Sequence, residues 1–215
     1  MAALEIKKRV KNATLYTNGT IRLDNVRVSF PHLAAPYAGK DDNGKAGEPK
    51  YGIVGMLPKE THVEAKDLVK SCIDQLLKDA DDAKVSTDKK FLRNGDDQDR
   101  AEYEGHWTVS AREGRRPAVR DAKGHLLDPV QDKETIEELI FGGCICHILI
   151  RPWYQDGQKT GKGFGKRVNA GLVAVVFAKD DGTSFGEGRI DDADAWDDLP
   201  GAGGSGSSND DDDEL

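Results

Sequence analysis

The sequence predicts a mainly β protein: an OB-fold, which is a five-stranded Greek-key barrel, with one amphipathic helix, long loops and a disordered acidic tail. Three observations lead to this prediction. Several segments alternate apolar and polar residues with the period of two of a half-buried strand, one segment has helical periodicity, and the C-terminal end is acidic and rich in glycine and serine. Few strands separated by long polar insertions favour the barrel over a two-sheet sandwich.

The first strand is predicted in the stretch GTIRLDNVRVSF, residues 19–30. Apolar and polar residues alternate on both sides of Asn25, where the alternation slips by one residue. Val26, Val28 and Phe30 are therefore expected to face the core together. Five more candidates are rich in Val, Ile and aromatic residues: KYGIVGMLPK (50–59), HWTVSARE (106–113), RPAVRDA (116–122), GGCICHILIRPWYQ (142–155) and RVNAGLVAVVFAK (167–179).

One amphipathic helix is predicted between residues 61 and 79. Its apolar residues recur at spacings of three and four, namely Leu68, Val69, Cys72, Ile73, Leu76 and Leu77. Thr61 and Glu64 have the spacing of a capping box, which predicts where the helix begins. A shorter helical turn is expected near residues 132–140.

Insertions near residues 38–48, 80–105 and 155–163 are candidate binding loops.

The charge of the chain divides into two regions. The 215 residues have a net charge of −8, from 31 Lys and Arg against 39 Asp and Glu, and ten of the acids lie in residues 191–215, which contain no Lys or Arg. Residues 1–190 therefore keep 29 acids against 31 bases, a net charge of +2. We expect residues 1–190 to form one OB-fold domain and residues 191–215 an acidic, Gly/Ser-rich disordered tail.

The sequence contains no secretory signal and no apolar run long enough for a membrane-spanning helix, so we expect a cytoplasmic protein. The three cysteines are an odd number, and two of them lie only two residues apart in an apolar run, so no disulfide framework is predicted.

Enzymatic sites are not favoured by the motifs. DGQKTGKGFGK lacks the glycine that a phosphate loop requires five residues before its Gly-Lys pair. Strand alternation turns His147 away from Cys144 and Cys146, so CICH is not expected to bind zinc. No metal, cofactor or catalytic residue is therefore predicted.

One alternative is a metal-dependent nuclease that would use the carboxylates Asp96, Asp97, Asp99 and Glu102. Another is a protein-only interaction module with a basic face.

Cations and aromatic rings alternate in two stretches of the chain. The first contains Trp107, Arg112, Arg115, Arg116 and Arg120; the second contains Arg151, Trp153, Tyr154, Lys159, Lys162, Phe164, Lys166 and Arg167. Single-stranded nucleic acid requires such a surface, because cations follow the phosphates and planar side chains stack on unpaired bases. Trp153 and Tyr154 are adjacent, so in a strand they cannot face the same side. At least one ring is expected to have another environment, such as the core.

Seven phrases, in order, resemble those of the bacteriophage single-stranded DNA-binding proteins that have an OB-fold and an acidic C-terminal tail: VRVSFPHLAAPY, KYGIVGMLPK, FLRNGDD, GHWTVSAREGRRPAVRD, GGCICHILIRPWY, GKGFGKRVNAGLVAVVF and FGEGRIDDADAWDDL. The resemblance extends from about Val26 to Leu199. It implies that DNA lies across the barrel face and that the protein coats exposed strands during phage replication, recombination and repair, in the host cytoplasm. By position within the phrases, it implies DNA contacts for Arg93, Arg115, Arg116, Trp153, Tyr154, Lys162, Phe164 and Lys166.

The tail has two expected uses. Its terminal block consists of Asp210, Asp211, Asp212, Asp213, Glu214 and Leu215. These carboxylates can occupy the basic groove in place of phosphates, and they can recruit replication or recombination proteins when DNA displaces them. Leu215 stands where the resembling proteins commonly have an aromatic residue.

Overall fold

One hydrogen-bonded sheet contains all nine strands of the described residues, which are 4–39, 46–156 and 165–185 of a computed structural model. The strands are β1 (Ile6–Val10), β2 (Ala13–Tyr16), β3 (Ile21–Tyr37), β4 (Lys50–Pro58), β5 (Leu92–Asn94), β6 (His106–Glu113), β7 (Ala118–Arg120), β8 (Ile145–Gln155) and β9 (Arg167–Lys179). Two helices accompany them, α1 (Val63–Asp79) and α2 (Lys133–Leu139). The chain after residue 185, including the predicted tail and its boundary at 190, lies outside the described residues.

Strand β3 is the centre of the sheet. It has 17 residues, and its first part pairs with β2 and β8 while its later part pairs with β4. The hydrogen-bonded order is β5-β6-β4-β3-β8-β9-β7, and β1 pairs with β2. The ladders are antiparallel except for β7 with β9. All six strand candidates of the sequence are confirmed, whereas the short strands β1, β2 and β5 were not predicted.

The prediction of a mainly β fold is confirmed, but the sheet is not closed into a barrel. Phe91 links its two sides: the Phe91 amide donates to Val168 O at 3.0 Å, and the Ser110 amide donates to Phe91 O at 2.9 Å. Within the described ranges, no ladder joins β6 directly to β9. The short segment Lys90–Phe91 therefore connects the two sides where a closed barrel would have a full strand pair.

Two residues of β3 have left-handed backbone conformations, Asn25 with φ 54° and Phe30 with φ 48°. The slip predicted at Asn25 is confirmed, since the register with β8 shifts between Leu23 and Val26. The inward orientation predicted for Phe30 is wrong. Ser29 is buried instead, and the Phe30 ring is exposed, with the Arg100 guanidinium carbon 4.3 Å from its centroid. A bulky residue with positive φ is uncommon and locally strained, which sequence alternation does not reveal.

The core lies between the inner face of the sheet and the two helices. Helix α1 buries Ala65, Leu68, Val69 and Ile73. The predicted capping box is wrong, because His62 is the residue that precedes the helix and no side chain caps it. The Glu64 carboxylate instead accepts from the Lys11 amide at 3.3 Å. The second helix confirms the helical turn expected near residues 132–140, and its Ile136 is buried. Neither described helix has the length and apolar character needed to cross a bilayer.

Replacing Ile148 with Ala should cost about 2–5 kcal/mol of unfolding free energy, because Ile148 is fully buried and truncation leaves a cavity. Urea denaturation followed by far-UV circular dichroism measures the loss. Val130→Ala is the matched control, since Val130 is 81% exposed and its truncation should leave stability nearly unchanged. Equal stabilities of the two variants would contradict this description of the core.

Candidate nucleic-acid interface

The register of three strands places His32, Gly52 and Arg112 in one row across the outer face of the sheet. Their neighbours Ile53 and Ala111 are buried in the core, so Gly52 and Arg112 face the opposite side. A Cβ at Gly52 would lie 3.1 Å from Arg112 Cγ. Glycine at this position therefore lets the arginine stem lie close to the neighbouring strand.

An aromatic pair stands at one end of this row. The rings of His32 and Tyr37 are stacked, with centroids 4.6 Å apart and planes 12° from parallel, and Tyr37 is 57% exposed. Burial lowers the pKa of His32, and the nearby Arg112 charge lowers it further. The imidazole is therefore neutral at pH 7, and the pair offers a flat uncharged surface next to a guanidinium group. His32, Tyr37 and Arg112 are called the sheet-face cluster below.

The two adjacent arginines after β6 have different environments. Arg116 donates from Nη2 to Ala34 O at 2.8 Å, and its guanidinium carbon lies 5.2 Å from the Tyr51 ring centroid. Arg115 is exposed, and no carboxylate of the described residues pairs with it. Arg116 therefore fastens the turn to β3, whereas Arg115 is available to a phosphate group.

The alternation of β8 separates Trp153 from Tyr154, as predicted. Trp153 is 43% exposed, whereas Tyr154 packs against the core. Arg151 is also exposed, and it lies opposite Gly171 of β9 just as Trp153 lies opposite Asn169. Trp153 and Arg151 therefore share the outer face, where an indole ring and a cation are both open to a ligand.

Additional cations lie beside β9, from another part of the chain. Lys90 forms a bridge with Val168 of β9, and a Cβ at Gly165 would lie 3.8 Å from Lys89 Nζ. Lys166 and Arg167 are the next residues along the chain. The set is called the β8–β9 cluster below and comprises Lys89, Lys90, Arg151, Trp153, Lys166 and Arg167. Lys162 and Phe164, which were predicted as site residues, lie outside the described residues.

The end of β6 contacts β9 through a carboxylate. A Cβ at Gly171 would lie 2.8 Å from Glu113 Oε2, so the last residue of β6 is in close contact with the outer side of β9. Glu113 follows Arg112 of the sheet-face cluster, and Gly171 pairs with Arg151 of the β8–β9 cluster. Strand alternation turns Glu113 to the side opposite Arg112, so this contact brings the end of β6 close to Arg151 without placing the two clusters on one face.

The remaining predicted residues lie apart from both clusters. The Trp107 ring packs against the core, with Lys66 Nζ 4.9 Å from its centroid. Arg93 lies on β5 opposite Thr108 and is half-buried. Sequence reasoning missed His32, Tyr37, Lys89 and Lys90, because none lies in a stretch where cations and rings alternate.

The acidic stretch proposed as a nuclease site has other contacts. Asp96 pairs with Lys59 and accepts from the Gly105 amide at 2.8 Å, and the Lys59 contact lowers the pKa of Asp96. Glu102 pairs with Arg100 at 3.5 Å. Among the residues whose positions are described, no three His, Cys, Asp or Glu side chains form a group that could hold a metal ion. The arrangement does not favour the nuclease.

Comparison with known proteins identifies similar sequences and structures. The family described as "Enterobacter phage Enc34, ssDNA-binding protein" matches residues 19–213. The solved single-stranded DNA-binding protein from bacteriophage Enc34 is 40% identical, with a TM-score of 0.74, and the match covers 91% of this chain and 100% of that one. Its complex with ssDNA is 38% identical, with a TM-score of 0.75, covering 86% and 100%. "Putative protein p50" of Acyrthosiphon pisum secondary endosymbiont phage 1 is 28% identical over 188 residues, covering 83% and 93%.

Arg112→Ala should raise the pKa of His32, because it removes the positive charge that disfavours the imidazolium form. The value should remain below the ordinary value of about 6.5, since burial is the larger cause. Neutral His32 contributes to the free energy of unfolding at pH values above its unfolded pKa. This contribution is lost as the pH falls through the lower pKa of the folded state. NMR titration of the His32 ring measures the shift. Arg115→Ala should leave it unchanged, and a lowered pKa in Arg112→Ala would contradict the placement.

Proposed function

The chain belongs to the family of the Enterobacter phage Enc34 ssDNA-binding protein, and we propose that it binds single-stranded DNA along the surface formed by its two clusters. The family match confirms the resemblance to bacteriophage single-stranded DNA-binding proteins. The observation that carries the proposal is that exposed rings lie beside unpaired cations in each of the two clusters. It supports a binding protein rather than an enzyme.

The charge distribution around the clusters supports a polyanionic ligand. Arg112, Arg115, Arg151 and Lys166 pair with no carboxylate in the described parts of the chain. In contrast, Asp24, Asp96 and Asp181 are each held by a cation. Free cations can neutralise phosphates, with release of counterions, whatever the base sequence. We assign phosphate contacts to these four residues and to Lys162.

The rings supply the second part of the interaction. Trp153 presents an indole beside Arg151, and Tyr37 presents a phenol ring backed by His32. Stacking of a base on such a ring contributes about 1–3 kcal/mol and tolerates every base. Phe164 is assigned the same role from the sequence. Arg93, Trp107, Arg116 and Tyr154 are the weaker candidates, since their side chains contact the protein itself or lie apart from the clusters.

Strand coating during phage replication, recombination and repair follows from sequence-neutral binding. We infer that residues 1–190 bind the strand and that residues 191–215 regulate access to it. The block from Asp210 to Leu215 would compete for the cations of the clusters and, once displaced, recruit replication proteins. Charge complementarity supports this role, since the tail carries ten acids and the rest of the chain a net charge of +2.

Titration with poly(dT), followed by tryptophan fluorescence, tests the proposal. The signal should fall on binding, and salt should weaken the interaction. A labelled strand should remain intact with Mg²⁺ present. Cleavage would identify a nuclease, and a failure to retain the strand even at low salt would identify an interaction module for acidic proteins.

Trp153→Ala should weaken single-strand binding by about 1–3 kcal/mol while the melting temperature stays nearly constant, because the ring is exposed. Tyr154→Ala is the control, and it should lower the melting temperature, because Tyr154 packs against the core. Fluorescence anisotropy with labelled oligo(dT) measures affinity for both variants. A Trp153→Ala protein with a much lower melting temperature and unchanged affinity would place this ring in the core.

Deletion of residues 201–215 should tighten single-strand binding, most strongly at low salt, and can admit duplex DNA. It removes five acids and changes the net charge from −8 to −3. A full-length variant with residues 210–214 changed to the corresponding amides should behave similarly, which separates charge from length. Unchanged affinity at about 50 mM salt, where the Debye length is still above 10 Å, would refute competition.

A further inference from the structure

Two exposed edges of the sheet lie at opposite ends of one run of strands. The ladders connect β1, β2, β3, β8, β9 and β7 in that order. Strand β1 pairs only with β2 in the described residues, and beyond β7 there is a single bridge, from Arg120 to Leu126. Four strands separate β1 from β7 in this run, and the chain after β7 continues into α2, which packs against β3.

The first edge combines aliphatic side chains with cations. Leu4 is 46% exposed and Ile6 is 50% exposed, and Lys7, Lys8 and Arg9 are exposed beside them. Among residues with described positions, no carboxylate pairs with these three cations. Lysine on an edge strand ordinarily discourages pairing with other chains, but exposed leucine and isoleucine do the opposite. Residues 4–9 are called the basic edge.

The second edge combines aliphatic side chains with carboxylates. Leu126 is 60% exposed and Val130 is 81% exposed. Residues 121–138, which contain both, have six Asp and Glu against two Lys. Helix α2 presents exposed Glu134, Glu137 and Glu138, and only Glu137 has a weak pairing, at 3.9 Å from Lys133. Residues 126–138 are called the acidic edge.

We propose that the basic edge of one copy of this chain docks on the acidic edge of the next, so that copies associate head to tail. The contact would bury Leu4 and Ile6 against Leu126 and Val130, with lysine and arginine facing glutamate around them. Contact between two basic edges, or between two acidic edges, would bring like charges together. A symmetric dimer through either edge is therefore disfavoured. A contact between two different surfaces repeats from copy to copy and forms an open row unless the geometry closes a ring.

This association does not require the proposed strand binding, because no residue of the two clusters lies within either edge, although Glu137 of the acidic edge lines a cavity with His32 of the sheet-face cluster. If the chain also binds single strands, a row of copies along one strand makes binding cooperative, since each arriving copy gains a protein contact besides its DNA contacts.

Sedimentation velocity of the full chain without DNA tests the proposal. The wild-type mass should rise with concentration above 23.4 kDa at low salt and return toward it at high salt. One variant removes the basic charges (Lys7→Ser, Lys8→Ser, Arg9→Ser), and a second removes the apolar contacts of the acidic edge (Leu126→Ser, Val130→Ser). Each alone should stay monomeric. Their equimolar mixture should form a dimer of twice the monomer mass and no larger species, because each variant keeps one competent edge.

A matched control replaces three exposed lysines elsewhere, Lys70, Lys78 and Lys84, with Ser and should associate as the wild type does. Melting followed by circular dichroism shows that every variant is folded. A second pair, Lys8→Glu and Glu137→Lys, should each weaken association alone and restore it when mixed. A monomeric wild type at all concentrations overturns the proposal. The proposal is also overturned if the variant with Leu126→Ser and Val130→Ser associates by itself as the wild type does. That result would identify the C-terminal acids, and not the acidic edge, as the partner of the basic edge.

Discussion

The bending of strand β3 is the constraint on which the rest of the structure depends. A straight strand of 17 residues spans about 55 Å at roughly 3.3 Å per residue, and it would present one straight edge to each neighbour. The left-handed residues Asn25 and Phe30 divide β3 into segments of different direction. Residues 21–27 pair with β8, and residues 27–37 pair with β4, with a register shift on either side of His32. The sheet therefore wraps around the core.

The contacts near the bends hold this arrangement in place. Gly143 donates to Val28 O at 2.8 Å, and Val28 donates to Cys144 O at 3.0 Å. Arg27 reaches across to Gly143 O at 2.5 Å and binds Asp181 through both guanidinium nitrogens, at 2.9 and 2.7 Å. This contact holds the pKa of Asp181 well below its usual range. The segment after β9 is thereby tied to β3, and the far end of β3 is left to present His32 and Tyr37.

Prediction from the sequence worked best where a segment is long and regular. The strands at residues 106–113 and 167–179 have the predicted bounds, because alternation continues over their whole length. It failed for the inward orientation of Phe30 and for the capping box. A bulge decides the first feature, and the backbone amide of Lys11, in the turn between β1 and β2, engages the Glu64 carboxylate in the second. The hairpin β1–β2 was missed because exposed, charged residues dominate β1 and carry no apolar alternation. Local alternation could not predict that the sheet stays open, because closure of a barrel depends on contacts between strands that are distant in the sequence.

The sequence by itself determined the mainly β fold, the position of the main helix, the separation of charge between body and tail, and the opposite orientation of Trp153 and Tyr154. All of these depend on composition or on the local periods of strand and helix. Only the tertiary structure decided which cations meet which rings. Lys89 and Lys90 lie beside β9, the strand that pairs with the strand of Trp153, and His32 meets Arg112 through the register of three strands. Registers between distant segments arise from the packing of the whole sheet, so no local pattern encodes them.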